Sequence, residues 1–589
     1  MIGNTLLNEH ENRRPRRSPG RRRPCVASKA LISDGTAREA IETGRTRLLI
    51  TGSVLLLAFS CVGLRLVDLT LARAAQEPRA QRLVSTERIE TERADVVDRN
   101  GVILATGLAT ASLFANPRQI IDPDEAAELV ASVLPDANVA ELAANLRKDR
   151  SFVWLHRKLT PRQHLDIHNL GIPGLDFQRE ETRVFPKRRL FSHVLGYTDI
   201  DNHGIAGIER SFDARLRGQR QPLALTLDTR LQHIMRSALS EAMTTYKAIG
   251  GSGLILNIKS GEVLSLVSLP DFDPYNPSDA DDEQRRNRAT LGVYELGSAF
   301  KIFTTAMALD AGVVTLDGGY DATKPIKVAR HWIRDYRGKG RWLSVPEIFM
   351  YSSNIGAAKM AMDVGMATQR DYLGKLGLLK PSPVELPEVG SPILPDVWRP
   401  SSTMTIAFGH GIAVSPLQMA SAVGAILNDG VYVPPTLVKS SAGTPQPKGR
   451  RVASKRTSRE MRRLLRLVVE QGTGRRASAT GYLVGGKTGT AEKQVNGRYK
   501  RSAVISSFIG AFPINEPKYL VLVILDEPTG TKETLHRATG GWVAAPAVRQ
   551  VVERMAPVMG MAPIDEQSPA LQNELAINLE PEGPRLASF

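Results

Sequence analysis

Residues 294–312 read YELGSAFKIFTTAMALDAG, a turn followed by an apolar helix that Gly312 ends. Ser298 and Lys301 are three positions apart at its start, so a helix places both side chains on one face. A serine hydroxyl becomes a nucleophile when a base takes its proton, and a desolvated lysine can have a pKa low enough to do so. Backbone N–H groups at the helix start could stabilise an oxyanion. No other serine has lysine three positions later, and the segment predicts a nucleophile and its base.

A second polar motif, Ser352-Ser353-Asn354, lies in FMYSSNIGAAKMAM, immediately before another apolar helix. Serine and asparagine are common helix N-caps, so the motif alone favours an ordinary cap. Ser352 and Asn354 gain a catalytic interpretation only in combination with the other motifs.

The third motif, Lys487-Thr488-Gly489, lies on the predicted strand VGGKTGTA. Small residues there let a peptide approach and pair with the strand edge, while the lysine and threonine can bind a carboxylate. The same stretch matches the pattern GxxxxGK[ST], with Gly481 and Gly486 as its glycines. A nucleotide-binding P-loop follows a buried strand and opens a helix, whereas GTGRRASAT precedes this stretch and an Asn-Gly turn follows it. The context therefore disfavours nucleotide binding.

Strand patterns on both sides of these motifs indicate one sheet. GLILNI and EVLSLVSLP form a predicted hairpin around residues 259–261, and YLVGGKTGTAEK, SAVISSFIGAF and YLVLVILDEP supply three further strands. A long, mostly helical stretch separates the two groups. The predicted fold class is α+β, with residues 222–560 forming a domain whose central antiparallel five-stranded sheet is flanked by helices.

The N-terminal part carries much of the basic charge. The chain has 77 Lys and Arg against 61 Asp and Glu, a balance that would ordinarily suggest a nucleic-acid partner. Residues 1–47 hold eleven of these basic residues among prolines, and we expect a disordered tail there. Residues 48–71 are mostly apolar and long enough to form a single transmembrane helix. The positive-inside rule then keeps the tail cytoplasmic and sends the rest across the membrane, so no nucleic-acid partner is expected.

A cleaved signal peptide is the alternative for this apolar segment. Its apolar region would be shorter, would begin nearer the N-terminus and would end in a small-residue cleavage site. An uncleaved anchor is favoured on those grounds.

Two segments flank the predicted sheet domain. Residues 72–221 mix short β-like runs with a helical stretch over residues 124–147, which indicates an elongated α+β pedestal module with a structural or docking role. Residues 561–589 are rich in proline and glutamate, and we expect a flexible tail.

Metal and disulfide chemistry are disfavoured by the residue inventory. Cys25 and Cys61 are the only cysteines, and both precede the predicted exported part, which therefore needs no disulfide and has no Cys-based metal site. The ten histidines show no HExxH or similar spacing. We expect neither a metal nor a cofactor.

The order SxxK, SxN, KTG resembles the penicillin-recognising serine acyltransferases and β-lactamases. Other stretches extend this resemblance, to a class B penicillin-binding protein, over nearly the whole exported chain. They are RADVVDRNGVILA (93–105), RVFPKRRLFSHVLGYTD (183–199), GIAGIERSFD (204–213), SLPDFDPYNP (268–277), FGHGIAVSPLQMA (408–420) and GGWVAAP (540–546). Two positions depart from the class: Leu296 replaces its usual proline and Ala94 its usual glycine. Neither is a reacting group, so the departures concern loop geometry.

The resemblance implies a serine-type peptidoglycan D,D-transpeptidase. Ser298 would attack the carbonyl between two D-alanines of a stem peptide, with Lys301 as the general base. Ser352 would relay a proton to the leaving amine, and Asn354 would hold the peptide amide. β-Lactams would acylate Ser298 as mimics of this substrate.

The resemblance also assigns the KTG strand to substrate binding. Lys487 and Thr488 would bind the terminal carboxylate, and Gly489 belongs to the same binding strand. The backbone N–H groups of Ser298 and Thr490 would form the oxyanion hole.

A chain with these motifs could have other functions, and the sequence disfavours each of them. A β-lactamase or carboxypeptidase passes the acyl group to water and commonly lacks a long module before the catalytic domain. A β-lactam sensor should carry several membrane spans and a cytoplasmic effector domain. A non-catalytic scaffold should have lost Ser298 or Lys301.

The resemblance further implies protein partners. No glycosyltransferase domain fits between the predicted anchor and residue 221, so glycan polymerisation would fall to a membrane polymerase of the FtsW type. Division-type and elongation-type enzymes share all the motifs above. The long basic tail and moderate length favour the division type, acting at the septum with other divisome proteins, and elongation remains the alternative.

Overall fold

The computed structural model describes residues 50, 52–65, 93–328, 331–440, 449–495, 498–577 and 579. The chain divides into two units, residues 1–88 and 89–589. In the first unit, residues 52–65 form helix α1, whose apolar side chains, such as Leu56 and Phe59, are exposed. The predicted disordered tail (1–47) and the rest of the predicted anchor, apart from residue 50, lie outside the described residues. Among the residues described, no helix is both long enough and apolar enough to cross a bilayer.

The second unit begins with a module built on a five-stranded sheet. Its strands are β1 (Val96–Val97), β2 (Ile103–Ala115), β3 (Val153–Leu159), β4 (Leu175–Val184) and β5 (Leu223–Ala224). Strand β2 pairs antiparallel with β1, β3 and β4, whereas β1 and β5 run parallel. The helices of this module are α2 (Pro123–Val133), α3 (Val139–Leu146), α4 (Pro161–Asn169), α5 (Ser192–Leu195), α6 (Gly207–Ser211) and α7 (Asp213–Gly218).

The single helical stretch predicted over residues 124–147 is two helices in the structure. Helix α2 ends at Val133, and Asn138 starts α3 by accepting hydrogen bonds from the backbone N–H groups of Ala140 and Glu141. An asparagine N-cap satisfies donors that a helix start leaves free, so it favours a new helix at this position.

Buried ion pairs hold this module together. The carboxylate of Glu209 accepts from Arg93 Nε and from Arg183 Nε, each at 2.7 Å, and Arg93 also bonds Asp213 at 2.7 Å. Glu209 and both of its arginines are buried. Removing one partner would leave a buried charge uncompensated, which is strongly destabilising. These pairs join the three upstream segments that carry the class B resemblance.

The rest of the second unit contains eleven strands, in chain order β6 (Gly250–Asn257), β7 (Val263–Leu269), β8 (Gly319–Asp321), β9 (Ile326–Val328), β10 (His331–Ile333), β11 (Trp342–Ser344), β12 (Val431–Tyr432), β13 (Arg450–Arg451), β14 (Gly485–Val495), β15 (Arg498–Phe512) and β16 (Tyr519–Asp526) within the described residues. The helices there are α8 (Thr229–Tyr246), α9 (Asp282–Arg285), α10 (Lys301–Asp310), α11 (Val345–Tyr351), α12 (Asn354–Val364), α13 (Met366–Lys375), α14 (Pro400–Ile406), α15 (Pro416–Leu427), α16 (Lys455–Glu470), α17 (Gly540–Val543), α18 (Ala545–Val558) and α19 (Pro569–Leu575).

The predicted antiparallel sheet is present, with five strands in the order β14-β15-β16-β6-β7. All neighbouring strands pair antiparallel, and every residue of β16 is buried. Alternate residues of a strand face opposite sides, and Leu256 and Ile255 of β6 accordingly belong to different core clusters. Helices α8 and α18 pack on one face, whereas α10, α15 and α16 contribute to the core on the other. The sheet therefore lies between two helical layers.

The C-terminal segment differs from the flexible tail that its composition predicts. Residues 561–577 return to the domain, where Leu575 is buried in the core and Glu566 pairs with Arg466 at 2.7 Å. Glu566 also accepts from the backbone N–H of Gly481 at 2.6 Å. Because the guanidinium of Arg466 is itself buried, the pairing carboxylate anchors the segment. Residues 578 and 580–589 lie outside the described residues.

Candidate active site

Ser298 lies in a single 3₁₀ turn, Gly297–Phe300, that leads directly into α10. Every side chain from Lys301 to Leu309 of that helix is buried, which fixes the turn against the core. Gly297 has a φ of +53°, and a Cβ there would lie 2.4 Å from the carbonyl oxygen of Thr490 on β14. Glycine therefore lets the Ser298 turn pack directly on the strand that carries the KTG motif.

Lys301 is the centre of the site. Its Nζ lies 3.0 Å from Ser298 Oγ, which confirms that the two side chains share a face. The same nitrogen lies 2.6 Å from the carbonyl oxygen of Ser352, 3.0 Å from Ser352 Oγ and 2.7 Å from Asn354 Oδ1. All three motif residues around Lys301 are thus within hydrogen-bond distance of one amine.

The four contacts define how a neutral amine at Lys301 would be oriented. The Ser352 carbonyl and Asn354 Oδ1 can only accept, so they take the two N–H donors of a neutral amine. Its lone pair then faces the hydroxyls, where it can accept a proton from Ser298. The geometry suits a general base.

The electrostatics favour that neutral form. Burial lowers the pKa of Lys301 well below its ordinary value, the positive charge of Lys487 lowers it further, and the charge of Asp335 opposes both. Burial also lowers the pKa of Lys487 to about 7. Both lysines are fully buried, so water cannot solvate two ammonium groups side by side.

Ser352 occupies a turn of unusual geometry between two helices. It ends α11 with a φ of +64°, a left-handed conformation that is costly for a residue with a side chain. Its Oγ lies 3.0 Å from Lys301 Nζ and 3.1 Å from Lys487 Nζ. The N-cap of α12 is Ser353, whose hydroxyl accepts from the N–H of Gly356. The cap interpretation therefore applies to Ser353, and Ser352 is left facing both lysines.

Asn354 has both ends of its side chain engaged. Its Oδ1 accepts from Lys301, and its Nδ2 donates to the carbonyl oxygen of Arg334 at 2.9 Å. One N–H and one lone pair remain available for a peptide amide.

The residues of the KTG motif on β14 have different neighbours. Lys487 joins the buried cluster with Lys301 and Ser352. The hydroxyl of Thr488 lies 2.9 Å from that of Thr473. A Cβ on Gly489 would lie 2.5 Å from the carbonyl oxygen of Leu296, so glycine is needed for the contact with the Ser298 turn. The structure brings Ser298, Lys301, Ser352, Asn354 and Lys487 together, with Thr488, Gly489 and Thr490 following along the adjoining strand.

The competing P-loop pattern has the wrong surroundings. Gly481 lies in a turn, and residues Gly485–Val495 form strand β14, which pairs with β15 instead of opening a helix. The prediction against a nucleotide loop is consistent with this geometry. Within the described ranges, no three His, Cys, Asp or Glu side chains are grouped as metal ligands.

Asp335 and Thr473 also contact the motif residues, although neither belongs to a motif. Asp335 bonds the turn that holds Ser352, and Thr473 pairs with Thr488. Each is an ordinary polar residue in a loop, 15 to 20 positions from its partner in the chain. No local pattern marks either one.

Comparisons with known proteins bear on this arrangement. Residues 251–553 match the penicillin-binding protein transpeptidase domain, and residues 88–238 match the penicillin-binding protein dimerisation domain. The chain belongs to the class B penicillin-binding proteins.

Relatives of this class B protein cover most of its length. It is 40% identical over 487 residues to the probable peptidoglycan D,D-transpeptidase FtsI of Caulobacter vibrioides, covering 80% of this chain and 82% of that protein. It is 28% identical over 532 residues to the peptidoglycan D,D-transpeptidase FtsI of Escherichia coli strain K12, covering 84% and 88%. The crystal structure of penicillin binding protein 3 from Mycobacterium tuberculosis in complex with aztreonam is similar, with a TM-score of 0.64 and 25% identity over 81% of this chain and 98% of that one.

Proposed function

We propose that this class B penicillin-binding protein is a peptidoglycan D,D-transpeptidase that forms a serine acyl-enzyme at D-Ala-D-Ala. The observation that carries the proposal is the contact of Lys301 Nζ with the hydroxyls of both Ser298 and Ser352, each at 3.0 Å. The names of its FtsI relatives supply the substrate class.

The first half of the reaction transfers the peptide to the enzyme. The Ser298 hydroxyl gives its proton to Lys301 while its oxygen attacks the carbonyl carbon between the two D-alanines. The backbone N–H groups of Ser298 and Thr490 stabilise the resulting oxyanion. The C–N bond then breaks, and the leaving D-alanine takes a proton relayed from Lys301 through Ser352. An ester at Ser298 remains.

The second half returns the enzyme to its starting state. An amine of a neighbouring stem peptide attacks the ester and loses a proton to the Lys301–Ser352 pair. The ester C–O bond breaks, and Ser298 oxygen recovers the proton. The new amide bond is the crosslink, and atoms and charges balance without a metal or a cofactor.

Substrate orientation falls to the KTG strand. Thr488, with Thr473 behind it, binds the terminal carboxylate, and Lys487 supplies positive charge beside it. Asn354 keeps one N–H and one lone pair for the peptide amide. Gly489 lets the Ser298 turn pack against this same strand.

The choice between crosslinking and hydrolysis is testable directly. Purified full-length protein would be incubated with a peptide ending in D-Ala-D-Ala and a second peptide carrying a free amine. Mass spectrometry should detect released D-alanine together with the joined peptides. Released D-alanine with only the shortened donor peptide would instead identify a carboxypeptidase.

We also propose a cellular setting, supported by the pattern of the N-terminal sequence, with the division role supported by the FtsI names of relatives. Residues 48–71 anchor the protein in the inner membrane with residues 1–47 in the cytoplasm, and the catalytic domain lies in the periplasm. A membrane glycan polymerase of the FtsW type and other divisome proteins are its partners at the septum.

This setting has its own test. Residues 1–72 would be exchanged for an unrelated tail and membrane anchor in a fluorescent fusion. Loss of septal fluorescence, with protein level unchanged, would support the division role. Unchanged localisation would show that residues 1–72 do not direct the protein to the septum. Fluorescence along the side wall in the parent fusion would favour an elongation enzyme.

A further inference from the structure

The loop between β10 and β11 contacts the start of α12 through Asp335. Oδ2 of this carboxylate accepts from the Ser353 hydroxyl at 2.7 Å. Its Oδ1 accepts from the backbone N–H groups of Asn354 at 2.6 Å and Ile355 at 3.0 Å. One carboxylate therefore satisfies three donors within three consecutive residues.

These three hydrogen bonds are donated by Asn354, which contacts Lys301, and by its two neighbours in the chain. Ser353 and Asn354 directly follow Ser352, whose left-handed conformation carries a strain cost that neighbouring bonds must offset. The adjacent loop residue Arg334 accepts from Asn354 Nδ2 through its carbonyl oxygen, which turns Oδ1 towards Lys301. The loop thus fixes both the turn and the orientation of the Asn354 amide.

We propose that Asp335 is a positioning residue of the active site: it holds Ser352 and Asn354 against Lys301 and places a negative charge near that lysine. The proposal rests on the acyl-transfer function proposed above. It assigns to the β10–β11 loop a role in the reaction that none of the three motifs describes.

The charge of Asp335 acts on Lys301 together with two other groups. Lys487 on β14 disfavours a proton on Lys301, whereas Asp335 favours one. His410, which follows α14, is the other titratable group coupled to Lys301: burial lowers the pKa of His410, and the charge of that lysine lowers it further. Removing the carboxylate charge should therefore leave Lys301 neutral down to lower pH. The acid limb of the acylation rate, where Lys301 loses its proton, should move in the same direction.

Two variants separate geometry from charge. Asp335→Asn keeps an oxygen that can accept from Asn354 and Ile355 but removes the charge. Asp335→Ala removes both. The matched control is Asp321→Asn, because Asp321 lies on β8, which pairs with β11 next to the Asp335 loop, and contacts α12 through Lys359.

The test is the second-order rate of acylation of full-length protein by benzylpenicillin, measured from acid to neutral pH. We expect the acid limb of Asp335→Asn to shift to lower pH, with near-parental rates on its plateau. Asp335→Ala should lose about ten- to a hundredfold of the plateau rate, because the turn is no longer held. Asp321→Asn should have the plateau rate and the acid limb of the parent.

Two results would overturn the proposal. One is an acid limb of the acylation rate that lies at the same pH in Asp335→Asn and in Asp321→Asn. This comparison tests the proposal even if Asp335→Ala does not fold. The other is a folded Asp335→Ala protein with the parental plateau rate. Absence of acylation in the parent would instead contradict the proposed acyl-transfer function itself.

Discussion

The Ser352 hydroxyl lies 3.0 Å from the amine of Lys301, although 51 positions separate the two residues in the chain. The same hydroxyl lies 3.1 Å from Lys487 Nζ, so one oxygen joins the three motifs. A hydroxyl between two buried amines can pass a proton from one side of the site to the other. Each member of this cluster should therefore affect the reaction in its own way.

Lys301→Met should leave a folded protein that acylates slowly. Methionine fills most of the lysine volume without the buried amine, so the fold should persist. Loss of a general base typically lowers rates by about 10²- to 10⁴-fold. The measurement is the rate of benzylpenicillin acylation, with Lys359→Met on α12 as the control variant. Parental rates in Lys301→Met would exclude this lysine as the base.

Lys487→Met should move the acid limb of the acylation rate to higher pH. The charge of Lys487 lowers the pKa of Lys301, so removing it lets Lys301 stay protonated to higher pH. Because only neutral Lys301 can accept the proton of Ser298, reactivity should then begin at higher pH. A pH series of acylation rates measures this, and the direction is opposite to that expected for Asp335→Asn. A limb shifted to lower pH would contradict the coupling.

Thr473→Val should weaken substrate binding more than it slows chemistry. The variant keeps the side-chain shape but removes the hydroxyl 2.9 Å from Thr488 Oγ1. Loss of one such hydrogen bond should raise KM for a D-Ala-D-Ala peptide by about three- to tenfold. Steady-state kinetics of D-alanine release separates KM from kcat. An unchanged KM would show that this threonine pair does not hold the substrate.

Gly489→Ala should disturb both stability and reactivity. The added Cβ would lie 2.3 Å from Ser507 Oγ and 2.5 Å from the carbonyl oxygen of Leu296, so the Ser298 turn must move away from β14. Such overpacking should lower the free energy of unfolding by about 1–3 kcal/mol. Acylation should slow as well. Gly374→Ala in α13 is the control, because its Cβ meets only Leu379 at 3.7 Å. Parental stability in Gly489→Ala would contradict the tight contact.

Local patterns predicted the parts of the site that depend on neighbours in sequence. The spacing of Ser298 and Lys301 across one helical turn determines their contact, and continuous apolar runs such as β16 determine the sheet. Contacts across the chain leave no such signal. Asp335 reaches the Ser352 turn through a loop whose course depends on packing, and Leu575 is buried only because the C-terminal segment folds back.

The same limit applies to the roles of Ser352 and Ser353, which the local sequence does not separate. A Ser/Asn turn before α12 was predicted, but the sequence could not distinguish which serine caps the helix. The structure assigns the cap to Ser353 because its hydroxyl meets the N–H of Gly356. The direction of Ser352 towards the lysines depends on its left-handed backbone, which the local sequence does not reveal.

The most direct measurement is mass spectrometry of the purified protein after incubation with a penicillin, comparing the parent with Ser298→Ala. Acyl transfer at Ser298 predicts a stable adduct on the parent that maps to the Ser298 peptide and is absent from the variant. A folded parent without an adduct, or an adduct that persists in Ser298→Ala, would contradict it.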